Sequence, residues 1–283
     1  YSPGCPWCRM TSISSRSNPK IKQIRALLQQ RKERRATGLF VVEGIRHAGE
    51  AVQAGASIEY LCYAPELLTS EFAAQLIAQQ SGRGIPCLSV AADVFADLAE
   101  KDNPPGILAV VQQPKANLEQ LTALRHPWLV ALVAPQDPGN IGTILRTIDA
   151  VGASGLLLLD HSADPFHPSA VRASMGTLFW RPVVMAEFAH FAAWAAQQGY
   201  TLYGTSAHAP QDYRQVERYA SPRILLMGSE RQGLTPEQAA SCHALLSLPM
   251  QGHATSLNLA VATGVMLYHM LSDADNGNQT SNH

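Results

Sequence analysis

No apolar run in the chain approaches the ~18 residues that a membrane-spanning helix needs, so none is expected. Tyr1 to Ser17 lacks the apolar stretch of ~7–15 residues that marks a secretory signal. The chain also lacks an initiating Met. Met10 is read as the native start, residues 1–9 as a leader, and residues 1–15 as disordered. There is no Gly-x-Gly-x-x-Gly after a strand, which removes the common dinucleotide fingerprint. Gly228-Ser229-Glu230-Arg231-Gln232-Gly233 has the glycine spacing of a phosphate loop, but Leu234 stands where that loop requires Lys. Neither His-Glu-x-x-His nor Gly-x-Ser-x-Gly occurs. Among the histidines, His161, His167, His208 and His253 lack ligand spacing, and no metal is expected. The cysteines are five (Cys5, Cys8, Cys62, Cys87 and Cys242), an odd and scattered set that excludes a disulfide framework and reads as reduced thiols of a cytoplasmic protein. Cys5 and Cys8 form a Cys-x-x-Cys with no second pair for zinc and no preceding strand for a redox site.

What is present is an ordinary globular composition: 283 residues, 46% hydrophobic and 15% charged, enough for two domains or one large one. Charge is unevenly spread. Arg16, Lys20, Lys22, Arg25, Arg31, Lys32, Arg34 and Arg35 oppose Glu33 alone, so this segment carries +7 and leaves −8 on the rest of a chain whose net charge is −1. Such an arm is either a polyanion footprint or a solvated helix face.

Apolar periodicity predicts a helix over 19–30, a strand at 38–42, a helix over 43–54, a strand at 58–63 and a helix over 65–80. A strand at 86–90, a helix over 91–100 and a strand at 106–111 complete an α/β domain over 16–111. Residues 112–127 read as a linker. A second series follows over 128–272: strands at 128–134, 155–159, 183–185, 200–205, 224–228 and 244–248, with helices over 140–151, 169–178, 188–198 and 257–271 between and after them. Strands of this Leu/Val type separated by helices predict a parallel sheet covered on both faces. Residues 273–283 are polar and expected to be disordered.

Three strand–helix junctions of the second series carry polar groups. In Asn140-Ile141-Gly142-Thr143-Ile144-Leu145-Arg146-Thr147, Asn140 suits a helix N-cap, and Arg146 lies near two turns later, roughly on the same side. In Leu226-Met227-Gly228-Ser229-Glu230 an apolar strand runs into a glycine-bounded loop with a carboxylate, where parallel sheets bind ligands. In Leu248-Pro249-Met250-Gln251-Gly252-His253-Ala254-Thr255-Ser256-Leu257-Asn258, Thr255 or Ser256 suits a cap, which would put Asn258 inside the helix, where it is a poor former.

In this order and spacing, Asn-x-Gly-x-x-x-Arg-Thr, Gly-Ser-Glu-x-x-Gly-Leu and Leu-Pro-Met-x-Gly-x-x-x-Ser-Leu-Asn resemble the three signature motifs of the SpoU (TrmH) family of RNA ribose 2′-O-methyltransferases. The resemblance covers 128–271, and Val171-Arg172-Ala173-Ser174-Met175-Gly176 is similar to the segment between the first two motifs. More weakly, Asn18-Pro19-Lys20-Ile21-Lys22 and Phe40-Val41-Val42-Glu43-Gly44 resemble an N-terminal RNA-binding domain related to a ribosomal-protein fold. The resemblance implies an α/β fold whose C-terminal parallel sheet holds a deep trefoil knot. It further implies bound S-adenosylmethionine, contacted by Gly228, Leu248 and Leu257 with Thr205 and Met250 in the same pocket, and a homodimer in which the helix over 257–271 suits the interface. Arg146 is given the hydroxyl-activating role, positioned by Asn140, with Glu230, Ser256 and Asn258 holding the site in register.

Arg is effectively never neutral in a protein, so Arg146 fits better as a donor to phosphate and to developing alkoxide than as a base. RNA contacts are expected from Arg16, Lys20, Lys22, Arg31, Arg34, Arg35 and Arg172. The N-terminal extension leans toward rRNA over tRNA. Methylation of a base nitrogen, a small-molecule substrate and a non-catalytic RNA-binding protein remain alternatives; Arg146 with Ser256-x-Asn258 argues against the first.

Overall fold

The computed structural model describes residues 12–98 and 105–279; Cys5, Cys8 and Met10 lie outside them. The described residues form two compact units, one within Tyr1–Pro114 and Phe166–Arg172, the other within Lys115–Pro165 and Ala173–His283.

The first unit begins earlier than expected, because Ile13 donates its N–H to Ser89 and bridges to Val90 instead of belonging to a free leader. Helix α1 (Pro19–Gln29) starts where Asn18 Oδ1 accepts the Lys20 N–H at 2.9 Å and Pro19 supplies a preset first turn. It buries Ile21, Ile24, Leu27 and Leu28, the stripe its periodicity predicts. Helix α2 (Arg31–Thr37) stops at Gly38, whose φ of +66° suits a residue without Cβ. There follow β1 (Leu39–Glu43), α3 (Ile45–Gln53), β2 (Ile58–Tyr63), α4 (Glu71–Gly82), β3 (Cys87–Ser89), α5 (Ala92–Ala96) and β4 (Ile107–Gln112). The sheet order is β1-β4-β2-β3, with β4 antiparallel to both neighbours and β2 parallel to β3. Helix α4 starts six residues later than the periodicity suggests, because Ser70 Oγ accepts the Ala73 N–H and makes the cap there.

Three of the seven cations expected to meet RNA are otherwise engaged. Arg34 is 1% exposed, and its Nη1 donates to the Leu27 and Leu28 carbonyls at 2.6 and 3.2 Å, serving acceptors that the end of α1 leaves open. Arg16 pairs with Asp97 and Asp93. Arg172 donates to Glu43 at 3.1 Å, and Phe166 in the same segment lies 5.0 Å from the Phe40 ring. Charge alone cannot tell a solvated Arg from one turned onto a helix end.

The second unit contains β5 (Trp128–Val133), α6 (Pro138–Ala150), β6 (Gly155–Leu159), α7 (Pro168–Ala173, its last residue only), β7 (Val183–Ala186), α8 (Phe188–Gln197), β8 (Thr201–Thr205), β9 (Gln211–Asp212), β10 (Arg223–Met227), α9 (Pro236–Ala240), β11 (Ala244–Ser247) and α10 (Leu259–Gln279). Its seven strands run in the order β7-β6-β5-β10-β8-β11-β9, every neighbouring pair parallel. β5, β6 and β10 are buried along their whole length, as a parallel sheet covered on both faces requires. The expected linker is only partly one. From Lys115 the chain belongs to this unit, and Leu118 and Leu121 are buried in its core. Helix α10 runs on through Gln279, past the Asp273 at which a disordered tail is expected. Among the described residues no helix is long and apolar enough to cross a membrane.

Burial pushes the Cys62 thiol up to about 12 and the Cys242 thiol up to about 11, so neither supplies thiolate at neutral pH. In native protein treated with iodoacetamide at pH 7.5, mass spectrometry is expected to find both unlabelled, with labelling only after denaturation. Arg34→Ala, which strands two carbonyls, is expected to lower stability by about 2–3 kcal/mol in chemical denaturation, against ~0.5 kcal/mol or less for the exposed Arg35→Ala.

Candidate active site

The three polar junctions meet at the carboxyl ends of the parallel strands, and the meeting is made by side-chain amides. Helix α6 begins earlier than expected: Pro138 occupies its first position and Asp137, not Asn140, is the cap, accepting the Gly139 N–H at 2.8 Å. Asn140 is thereby the third helical residue, 9% exposed and free of capping duty. Its Nδ2 donates to Glu230 Oε1 at 3.4 Å, and its Oδ1 accepts from Asn258 Nδ2 at 3.0 Å.

Asn258 also departs from expectation. It lies just before α10 and caps it: Oδ1 accepts the N–H groups of Ala260 and Val261 at 2.9 and 3.3 Å. Capping thus explains why Asn, a poor helix former, stands there, and it removes Thr255 and Ser256 from the role. Glu230 is held from a second side, its carboxylate accepting the backbone N–H of Gln136 at 3.4 and 3.3 Å. Gln136 was not among the residues predicted from sequence. The only local signal is its place in Pro135-Gln136-Asp137-Pro138, a stiff turn between strand and helix.

The loop that presents Glu230 closes on itself. Ser229 and Gly233 exchange backbone hydrogen bonds of 3.1 and 2.9 Å. This brings the Gly233–Leu234 backbone against Gly228 so closely that a Cβ on Gly228 would stand 2.2 Å from the Gly233 carbonyl carbon. Only glycine fits there.

Arg146 is not in this network. Six residues at 100° each place it about 120° around the helix from Asn140, not beside it. Asn140 faces inward, Arg146 is exposed, and among the described residues Arg146 has no hydrogen bond or ion pair. Ser256 is likewise exposed and makes no hydrogen bond among the described residues. Within one chain Asn140, Glu230 and Asn258 bind one another, and neither Arg146 nor Ser256 is part of that network.

Beside the network, a second group forms at the ends of β10, β8 and β11, which are adjacent. Leu226 pairs with Gly204, and Leu246 with Thr205, so Thr205, Gly228 and Leu248 emerge at one rim. Thr205 Oγ1 donates to Met227 Sδ at 3.5 Å. Met250 and Leu257 lie on the loop from β11 to α10, Leu257 being 40% exposed. The named side chains of this rim are uncharged, leaving backbone groups as the main polar partners for a ligand. Among the described residues no cluster of metal-ligating side chains occurs.

Residues 127–268 match the SpoU rRNA Methylase family, and residues 18–109 match the MRM3-like substrate binding domain. The 23S rRNA (uridine(2479)-2'-O)-methyltransferase of Streptomyces viridochromogenes is 34% identical over 272 residues, spanning 94% of this chain and 93% of its own length. The 23S rRNA (guanosine(2553)-2'-O)-methyltransferase RlmP of Bacillus subtilis is 31% identical over 261 residues, spanning 92% and 99%. The AdoMet-bound rRNA methyltransferase from Sinorhizobium meliloti superposes with a TM-score of 0.83 at 36% identity, over 92% of this chain and 97% of that one.

Asn258→Ala removes a cap and the partner of Asn140. It is expected to cost about 1–2 kcal/mol in thermal or chemical unfolding, whereas Ser256→Ala should stay within ~0.5 kcal/mol.

Proposed function

The chain belongs to the SpoU rRNA methylase family, and from that membership we propose that it methylates the ribose 2′-hydroxyl of one nucleotide of 23S rRNA. It is an S-adenosylmethionine-dependent RNA 2′-O-methyltransferase. The observation that carries the site assignment is the hydrogen-bonded chain Asn258–Asn140–Glu230, which ties the family's three motifs into one constellation. The rRNA target rests on full-length relatives named for 23S rRNA and on the substrate-binding match over 18–109.

The rim at Thr205, Gly228 and Leu248, with Met250 and Leu257, fits the cofactor. It combines apolar side chains for a purine face with backbone groups for its polar edge, and the half-buried Thr205 hydroxyl already turns toward the Met227 sulfur. Bound there, S-adenosylmethionine supplies an electrophilic methyl group. Gly228 keeps the rim narrow by letting the Gly233–Leu234 backbone close on it.

Arg146 donates to the phosphate 3′ of the target ribose and to the oxygen as it becomes anionic. Having no lone pair to offer, it leaves the hydroxyl proton to a phosphate oxygen or to water. Its exposure, away from Asn140, suits a site assembled from two copies of the chain. The exposed Leu257, Val261, Val265 and Tyr268 recur on one side of α10 and its approach, a face suited to that pairing. The family match over 127–268 supports a deep trefoil knot in the second unit.

RNA backbone contacts fall to the exposed cations Lys20, Lys22, Arg31, Lys32 and Arg35. Lys20 lies 4.3 Å from the centre of the Tyr60 ring, which steadies its stem. Arg34 is excluded by burial, and Arg16 and Arg172 are engaged with carboxylates.

Mass spectrometry of nuclease-digested rRNA from cells with and without the gene tests this reading. One ribose methyl should disappear, to be restored by wild type and not by Arg146→Ala; intact rRNA methylation would refute the target. In vitro, Arg146→Ala should lose turnover by at least about a hundredfold while cofactor affinity stays within about twofold. Replacing Arg31, Lys32 and Arg35 together by Ala should lower the slope of log affinity against log salt by roughly two to three.

A further inference from the structure

Gln136 precedes the first motif, which opens at Asn140, and it is the point where two loops and the Glu230 carboxylate are joined. The loops that leave the adjacent strands β5 and β6 are cross-tied: Ala134 N–H donates to the Leu159 carbonyl at 2.9 Å, and Ala163 N–H to the Pro135 carbonyl at 2.7 Å. The Gln136 side chain adds the third tie, Nε2 donating to the Ala134 carbonyl at 2.7 Å and to the His161 carbonyl at 3.4 Å. Ala134 has φ of +45°, in the left-handed region that a Cβ disfavours, so its conformation needs support from its surroundings. That support comes from the side chain two residues on, which binds the Ala134 carbonyl itself.

The consequence reaches the site through the backbone. With Ala134 held, the N–H of Gln136 is aimed at Glu230, whose two oxygens receive it at 3.4 and 3.3 Å. The next residue, Asp137, caps α6 and so sets where Asn140 falls on the first turn. Resting on the reading of Glu230 and Asn140 as part of the methyl-transfer site, we propose that Gln136 is a positioning residue that fixes the strained turn after β5 and thereby places Glu230 against Asn140. The role needs a side chain of this length with two N–H donors. Met has the length and no donor, which makes Gln136→Met the informative substitution.

The experiment uses the full-length chain, labelled S-adenosylmethionine and an unmodified full-length 23S rRNA transcript. Gln136→Met is expected to lower kcat about tenfold while the Kd for S-adenosylmethionine and the KM for RNA move less than about twofold. In a Glu230→Ala background the same substitution should cause no further loss, because its effect passes through Glu230. An unchanged kcat, or the same loss in both backgrounds, overturns the proposal. A crystal structure of Gln136→Met supplies a readout independent of turnover. The carboxylate is expected to leave the residue 136 N–H and Asn140, and an unaltered network overturns the proposal. If wild type methylates no rRNA, that failure belongs to the function proposed above, and the crystallographic comparison still decides the role of Gln136.

Discussion

The hydrogen bonds that join the three junctions of the second unit all lead to one carboxylate. The first N–H groups of α10 donate to Asn258, Asn258 donates to Asn140, Asn140 donates to Glu230, and the Gln136 N–H donates to the same carboxylate. The relay begins at the N-terminus of a helix, where orphan N–H groups and the aligned peptide dipoles concentrate positive potential, and ends on a negative charge. Each bond polarises the next in the same sense. Segments separated by more than a hundred residues are thus registered against one another by small groups with fixed geometry. Helices α6 and α10 also pack directly against each other, so the relay fixes the register of their starts and ties the Gly228–Gly233 loop to α6.

The relay also separates two jobs that a list of motif residues merges. Asn140, Glu230 and Asn258 build the frame; Thr205, Gly228 and Leu248 form a rim at neighbouring strand ends; Arg146 stands clear of both, on the solvent side of α6. A cation that its own chain does not hold keeps its full capacity for phosphate, at the cost of depending on what approaches it. The basic surface of α1 and α2 shows the same sorting. Lys22, Arg31 and Arg35 face solvent, while Arg34, inside the same run of charge, spends its guanidinium on the end of a helix.

Much of this was legible in the linear pattern. The β5 and β6 segments are apolar throughout, as is β10 after Arg223, and their burial on both faces is what such runs predict. The Asn140, Glu230 and Asn258 positions stood out because polar groups interrupted those runs. What could not be read was direction. A good cap residue at 140 hides the better one at 137, and an Arg six places along a helix, which spacing makes a neighbour, points about 120° away. Gln136 was missed for a different reason. Its role depends on the φ of Ala134 and on a carbonyl 25 residues later, neither of which has a sequence pattern.

One-way donation has an evolutionary corollary. Asp at 258 would keep the cap but set oxygen against the Asn140 oxygen, and Asp at 140 would do the same against Glu230. Neither asparagine can drift alone to its nearest isostere without two acceptors facing each other across a half-buried gap, where an unmade hydrogen bond is costly. Either change needs a compensating one at another member of the relay that restores a donor opposite each acceptor. Such positions resist gradual replacement even where each residue, taken singly, contributes little binding energy.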